Sequence, residues 1–554
     1  MKDNLVLLRS LRAWRLFTVL PIWKKVNLLH SSEWSTAIRA GEGKNVLIAT
    51  SVGAHLPGVV MESLLAVALI MRKTRVDVLL CDGCLEGCLD CMLGITLSEK
   101  EMADWGPKRK LCRLCKWIGK RVYKPLGVKI HSFGGLIDDA MRREIKKNAQ
   151  EIPLDQIGTY TYEGLSIGEH ALAGALRFYA RGVLTDEKHS EAILRKYFEA
   201  SLMAAYAMKR LVKNKKYDCV VFHHGIYVPQ GLIGEVCRAE GIRMVNWNPA
   251  YRKKCFIFSH GDTYHHTLMV EPVSSWENLA WNDRIESKLA EYLKSRWTGA
   301  HDWIWFHEKP RFEVDQIAKD LNLDYSKPII GILTNVFWDA QLHYPANVFP
   351  NMLEWLIDTI EHLGKRIDLQ VVIRIHPAEV TASIPSRQKL ADEIARHFPS
   401  LSQNIRIVPP ESNISTYAVM EKCDSVIIYG TKTGVELTSM GIPVIVAGEA
   451  WIRNKGLTED PRTRDEYFKT LDLLPLNKRM EKSKIERARK YAFHFFFRRM
   501  IPVEALHPQK GWPPFQLKVN SLESIMPGKD KGLDVICDGI LNGEPFIYPA
   551  ESNL

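Results

Sequence analysis

The chain is 554 residues long, 46% hydrophobic and 25% charged, which is ordinary for a globular protein and excludes a disordered one. A single core rarely grows past roughly 250–300 residues, so two or more domains are expected. No run of about 18 apolar residues occurs, which excludes a membrane-spanning helix, and the net charge of +11 is concentrated in a few stretches.

Lys2, Arg9, Arg12, Arg15, Lys24 and Lys25 stand among Leu, Trp and Phe in the first 25 residues. Arginines inside the apolar segment are unlike a signal peptide, so a cytoplasmic chain is expected. Residues 1–42 read as a basic amphipathic arm able to lie on the inner face of the cytoplasmic membrane. The plainer reading is a solvated basic face packed on its domain.

A first Rossmann-like domain is expected over residues 43–272. Lys44 to Ser51 is a buried strand, a turn through Gly53 leads into a helix ending near Met71, and Arg75 to Cys81 is the second strand. GxGxxG is absent, so the turn is not a dinucleotide fingerprint, and Gly53 is kept as a candidate substrate contact.

Six of the eleven cysteines follow, in an insert over residues 81–130. Cys88-x2-Cys91, twenty residues, then Cys112-x2-Cys115 falls at the edge of zinc-ribbon spacing, with Cys84 as a competing ligand. Thiolates are what a closed structural Zn2+ site prefers; an iron–sulfur cluster is the alternative metal reading, and buried free thiols the metal-free one. The same insert has nine Lys or Arg and no acid between Trp105 and Ile130, a patch suited to a polyanion, an anionic lipid surface or a phosphorylated acceptor.

A long helix carries Ala171 to Tyr179, and just before it Glu169 and His170 are candidates for a general base that deprotonates a hydroxyl. Their plainer reading is a helix-end carboxylate and a surface histidine. The strand Tyr217 to Phe222 ends at His223-His224, the helix Gly231 to Glu240 follows, and Arg243 to Trp247 is a further strand. This alternation predicts a doubly wound sheet. His223 and His224 stand at its carboxyl edge as candidate substrate contacts, although a histidine pair is more often scaffolding.

Residues 273–326 read as a linker or hinge with a charged helix from about Arg284 to Arg296. A second Rossmann-like domain is expected over 327–475. Its first strand, Pro328 to Thr334, delivers Asn335 and Asp339 to the sheet edge, Asn335 as a substrate contact and Asp339 as a rival base. Leu369 to Ile375 stops at His376-Pro377, where proline ends the regular structure and leaves an imidazole at the strand's end. Ser425 to Tyr429 brings Gly430, Thr431, Lys432, Thr433 and Gly434 to the same edge, and a helix opening at Thr433 or Gly434 makes an anion cradle suited to phosphate. Glu436 has two readings there, a ligand for ribose hydroxyls or a capping box with Thr433. Arg374 reads as a sheet-edge ion pair, and Arg453 and Lys455 as groups that could meet a carboxylate or phosphate. Residues 476–554 read as helices returning to the first domain, with the aromatic block at Tyr491 to Phe497 in the core and a last helix over 531–543.

Strand-His-Pro, then a hydroxyl-bearing turn opening a helix with Gly-x-Glu, then Gly-x-Pro-Val-Ile-Val resembles the C-terminal half of the bacterial capsule and surface-polysaccharide glycosyltransferases. It is similar to the Kdo-transferring capsule enzymes, the polysialyltransferases and, more distantly, the teichoic-acid CDP-glycerol polymerases. The likeness spans roughly residues 328 to 470, with threonines where two serines are usual. It implies an α/β fold of two Rossmann-like domains facing across a cleft (GT-B-like), with the phosphate of a nucleotide-sugar donor on His376, Pro377, Thr431 and Thr433. It leans toward a CMP-linked donor, a glycan or lipid-linked acceptor, and catalysis without a metal, which the absence of Asp-x-Asp fits. A nucleotide-sugar 2-epimerase shares the architecture and the His-Pro. A zinc-stabilised nucleic-acid binder would use the basic patch but no recognised module, so no nucleic acid is expected.

Overall fold

The computed structural model describes residues 19–41, 43–184, 187–303, 305, 309–339, 345–476 and 479–553. Lys2, Arg9, Arg12 and Arg15 of the basic arm lie outside them. The chain forms two compact units: residues 1–178, 185–264 and 500–548, and residues 179–184, 265–499 and 549–554.

In the first unit the apolar runs become β1 (Asn45–Ser51), β2 (Arg75–Leu80), β3 (Lys129–Ser132), β4 (Cys219–His223), β5 (Met244–Pro249) and β6 (Cys255–His260). The sheet order is β6-β5-β4-β1-β2-β3, with β5 and β6 antiparallel and the strands from β5 through β3 parallel. A two-residue strand, Ile501–Pro502, pairs antiparallel with β6 and closes that edge, a position where proline's missing N–H does no harm. Helix Lys531–Asn542 belongs to the same unit. Arg72 pairs with Asp534, Arg243 donates to the Gly539 and Leu541 carbonyls at 2.9 and 3.2 Å, and Lys44 bonds Asn542 at 3.1 Å. The described part of the arm departs from a membrane-lying segment: Trp23 and Trp34 are buried in the unit, while Lys24 and Lys25 are exposed.

The second unit holds β7 (Ile329–Leu333), β8 (Gln370–Arg374), β9 (Ile405–Val408), β10 (Ser425–Ile428) and β11 (Val444–Val446), all parallel, in the order β11-β10-β7-β8-β9. These strands are buried along most of their length, as the absence of alternation in their sequences requires of a sheet covered on both faces. Residues 273–326 are not a bare connector. They carry helix Asp283–Arg296, capped by the Asn282 side chain, whose Ile285, Leu289 and Tyr292 are buried.

Among the described residues no helix is long and apolar enough to cross a membrane.

Candidate functional site

In each parallel sheet the strand order reverses at one point, and the connections on either side of it lie on opposite faces, which opens a crevice beyond the strands' carboxyl ends. In the second unit that point lies between β7 and β10. Leu333 pairs in register with both Ile428 and Arg374, and Ile428 with Val446. Two residues further on, Asn335, Gly430, His376 and Gly448 therefore emerge at one level.

The crevice is tied together by its own side chains. The Gly430 amide donates to Asn335 Oδ1 at 3.4 Å, and the His376 amide to Thr334 Oγ1 at 3.1 Å. His376 Nδ1 accepts the Ala378 amide at 3.0 Å, which places the ring proton on Nε2. The hydroxyls of Thr431 and Thr433 lie 3.2 Å apart, and the Thr433 amide donates to Thr431 Oγ1 at 3.4 Å. Helix Thr433–Ser439 opens at the expected residue. Gly434 is closely packed: a Cβ there would lie 2.7 Å from Ile428 Cδ1. Pro377 precedes the single turn Ala378–Thr381.

Four charged residues expected at the ligand are committed elsewhere. Lys432 Nζ bonds Glu436 Oε1 at 2.9 Å, inside a buried network in which Glu436 also meets Arg296 Nε at 3.1 Å and the Tyr417 hydroxyl at 2.5 Å, while Arg296 pairs with Asp302. Burial alone would raise the Glu436 pKa, but Arg296 and then Lys432 hold it at about 2. Glu436 is thus neither a capping-box partner of Thr433, whose N-cap residue Lys432 makes no side-chain cap, nor open to a ribose. Arg453 is buried and donates to the Val446 and Gly448 carbonyls at 2.9 and 3.1 Å, clamping the loop after β11. Lys455 donates to the Met269 and Glu271 carbonyls at 2.9 and 2.7 Å. The Arg374 guanidinium donates to the carbonyls of Val408, Pro409 and Ser412.

Asp339 is exposed in the turn after β7. Glu449, beside Gly448, was missed by sequence reasoning, although Gly-Glu directly after a strand marks the same edge. Its Oε1 accepts the Ala346 amide at 2.8 Å, its Oε2 lies 3.5 Å from His266 Nε2, and its carbonyl closes on Gly430.

The first unit reverses its strand order between β1 and β4. His223 and His224 stand at the carboxyl end of β4 as expected, with the His223 ring 4.7 Å from that of His55 and 4.8 Å from Trp247. Burial holds His224 down at about 3, and His223 also well below the usual histidine range. Beneath them Glu62 accepts the Trp247 indole N–H at 3.0 Å, and desolvation raises its pKa to about 7. A lone carboxylate in the otherwise apolar helix Leu56–Ile70 was the signal that could have found it. At Gly53 a Cβ would lie 2.4 Å from the Cys115 carbonyl, so the glycine admits helix Arg113–Tyr123. Glu169 is half-buried on the first turn of helix Ile167–Tyr179. His170 is not at the surface: it is buried, with Nδ1 2.5 Å from the Ile226 carbonyl.

The cysteines converge more broadly than the ribbon spacing suggests. Cys88 Sγ and Cys91 Sγ lie 3.8 Å apart, and the ligand atoms of Cys81, Asp82 and Cys84 lie within 4.8 Å of one another. Among the described residues Cys88, Cys91, Cys112 and Cys115 do not form such a mutual group.

No family model matches the chain, and no curated protein matches it. Solved structures do. The β-Kdo 2,4 transferase KpsC of Thermosulfurimonas dismutans is 10% identical over 50% of this chain and 79% of its own, with a TM-score of 0.33. The β-Kdo 2,7 transferase KpsC of that organism is 12% identical over 58% and 88%, at 0.31. The UDP-GlcNAc 2-epimerase of Neisseria meningitidis bound to UDP-GlcNAc is 10% identical over 81% and 98%, at 0.24. Scores at this level assign no activity; that has to come from the side chains.

Proposed function

We propose that this protein is a glycosyltransferase that moves a sugar from a nucleotide-activated donor, CMP-linked by preference, to a surface-polysaccharide or lipid-linked glycan acceptor. One observation carries the reading. At the strand-order reversal of the second unit, an imidazole with its proton on Nε2 and two adjacent threonine hydroxyls emerge at the same sheet edge. Hydrogen-bond donors aimed at a leaving phosphate stabilise the negative charge that grows as the glycosidic bond breaks. The acceptor hydroxyl attacks the anomeric carbon, its proton passes to a carboxylate, and the nucleotide departs with the bonding electrons. Asp339 is the base we assign, because it follows the same strand, β7, as Asn335.

A peripheral membrane position is supported by helix Arg113–Tyr123. Leu114 and Trp117 are 43% and 41% exposed, on the face that also presents Arg113, Lys116, Lys120 and Arg121, a pattern suited to an anionic lipid surface.

The test is a thermal-shift panel of CMP, CDP, UDP, GDP and their sugars, with His376→Ala as control. A ligand that binds only the folded state raises its melting temperature by mass action. A rise with one nucleotide that vanishes in the variant supports the assignment, and no rise with any of them refutes it. Conversion of a free nucleotide sugar without acceptor would make the protein an epimerase instead.

A further inference from the structure

Six cysteines within 35 residues form three Cys-x2-Cys pairs: Cys81 and Cys84, Cys88 and Cys91, Cys112 and Cys115. The proposed transfer chemistry uses none of them. The other five, Cys219, Cys237, Cys255, Cys423 and Cys537, are dispersed and buried, the usual place of a structural thiol.

The first two pairs sit on the loop that follows β2, and the third opens helix Arg113–Tyr123. Cys112 packs directly on the first pair: a Cβ at Gly83 would lie 3.2 Å from Cys112 Cβ and 3.9 Å from its Sγ. The Cys112 thiol is within electrostatic reach of Cys81 and Cys91, and the Cys115 thiol of Cys81 and Cys88. The third pair therefore lies near both of the others. The Cys88–Cys91 separation of 3.8 Å is the edge of a tetrahedron with Zn–S bonds of about 2.3 Å. Backbone amides also point at the sulfurs, Gly83 at Cys81 Sγ at 3.3 Å and Ala54 at Cys115, the kind of outer contact that orients thiolate ligands.

We propose that this pocket is a zinc–thiolate centre that draws on all three pairs, with Cys112 and Cys115 as the half common to any closed ligand set. Each ligating cysteine gives up its proton as the ion binds, and no electron is transferred. The centre would hold the start of helix Arg113–Tyr123 against Gly53, beside the apolar face formed by its buried Ile118, Val122 and Tyr123. Spacing points to Cys88, Cys91, Cys112 and Cys115 with Cys84 competing; the packing of Cys112 on Gly83, inside the Cys81–Cys84 turn, brings in Cys81 as well.

The full-length protein, purified under reducing conditions, should contain zinc in a whole-number ratio to chain, without iron or acid-labile sulfide. Cys112→Ser/Cys115→Ser should lose it, while Cys237→Ser should keep it. Because the double variant could misfold, Co2+ exchange into the wild-type chain gives an independent readout: the visible bands of tetrahedral cobalt thiolate should appear and be bleached by added zinc. Metal-free wild-type protein, iron with sulfide, octahedral cobalt spectra, or zinc retained by the Cys112/Cys115 variant would each overturn the proposal.

Discussion

The Ala378 amide donates to His376 Nδ1 at 3.0 Å, which leaves Nε2 as the protonated nitrogen. That bond turns the histidine at the end of β8 into a hydrogen-bond donor without requiring it to be charged. His376→Ala should lower turnover about 10²–10³-fold, the loss typical of one donor to developing negative charge. His376→Gln, which can return an N–H near Nε2, should recover part of it. Steady-state kinetics on both variants decide the matter, and equal rates in Ala and wild type would remove His376 from the site.

Thr431 and Thr433 share a hydroxyl contact at 3.2 Å. Replacing either with valine keeps the branched shape and removes one hydroxyl, so nucleotide affinity should fall by about 0.5–1.5 kcal/mol for a neutral hydrogen bond and by more if the phosphate is charged. Serine at either position should stay near wild type. Calorimetric titration checks both, and a valine variant with undiminished affinity would argue against a hydroxyl contact.

Glu436 has a folded-state pKa of about 2 against an ordinary value of 4.5. A depressed carboxylate stabilises the fold above its unfolded pKa, and that stability is lost as pH falls from about 4.5 to about 2. Glu436→Gln leaves Arg296 buried without one of its two carboxylates, at a cost of about 3–5 kcal/mol near neutral pH. Urea melts at pH 7 and pH 3 should show the gap between variant and wild type narrowing in acid. A gap that does not change with pH would mean the carboxylate is not ionised in the fold.

Glu62 carries the opposite sign. Its pKa is raised from 4.5 to about 7, so between those values the folded state holds a proton that the unfolded chain has released. The contribution is full below about pH 4.5 and lost by about pH 7. Glu62→Gln should flatten this slope and raise stability at pH 8 by up to about 3 kcal/mol, at about 1.4 kcal/mol per unit. An unchanged slope between pH 5 and 8 would show that Glu62 is not its source.

Leu114→Ala/Trp117→Ala should reduce co-sedimentation with phosphatidylserine vesicles, and wild-type binding should weaken as salt rises, since charge attraction is screened within about 10 Å at 0.1 M. Equal binding to neutral vesicles would exclude the anionic surface as the partner.

The strands and the edge residues of the second unit were legible because each buried run ends abruptly, at His376-Pro377 and at Gly430-Thr431. The charged residues beside them were misjudged because sequence shows a charge but not its partner. Glu436 meets Arg296 from 140 positions upstream, and Arg453 turns back onto its own loop. Gly53 resembled a ligand turn because the helix that crowds it begins sixty residues later. Glu62 could have been suspected, since a carboxylate inside LPGVVMESLLAVALI has no apolar explanation.

The edge strand Ile501–Pro502 and helix Lys531–Asn542 finish the first unit, yet residues 265–499 are synthesised before them. At 5–20 residues per second the nascent chain waits roughly ten to fifty seconds with β6 as a bare edge and Arg72 and Arg243 without Asp534 and the Gly539 carbonyl. The first unit therefore stands incomplete, with an open sheet edge, for as long as nearly all of the second takes to be synthesised.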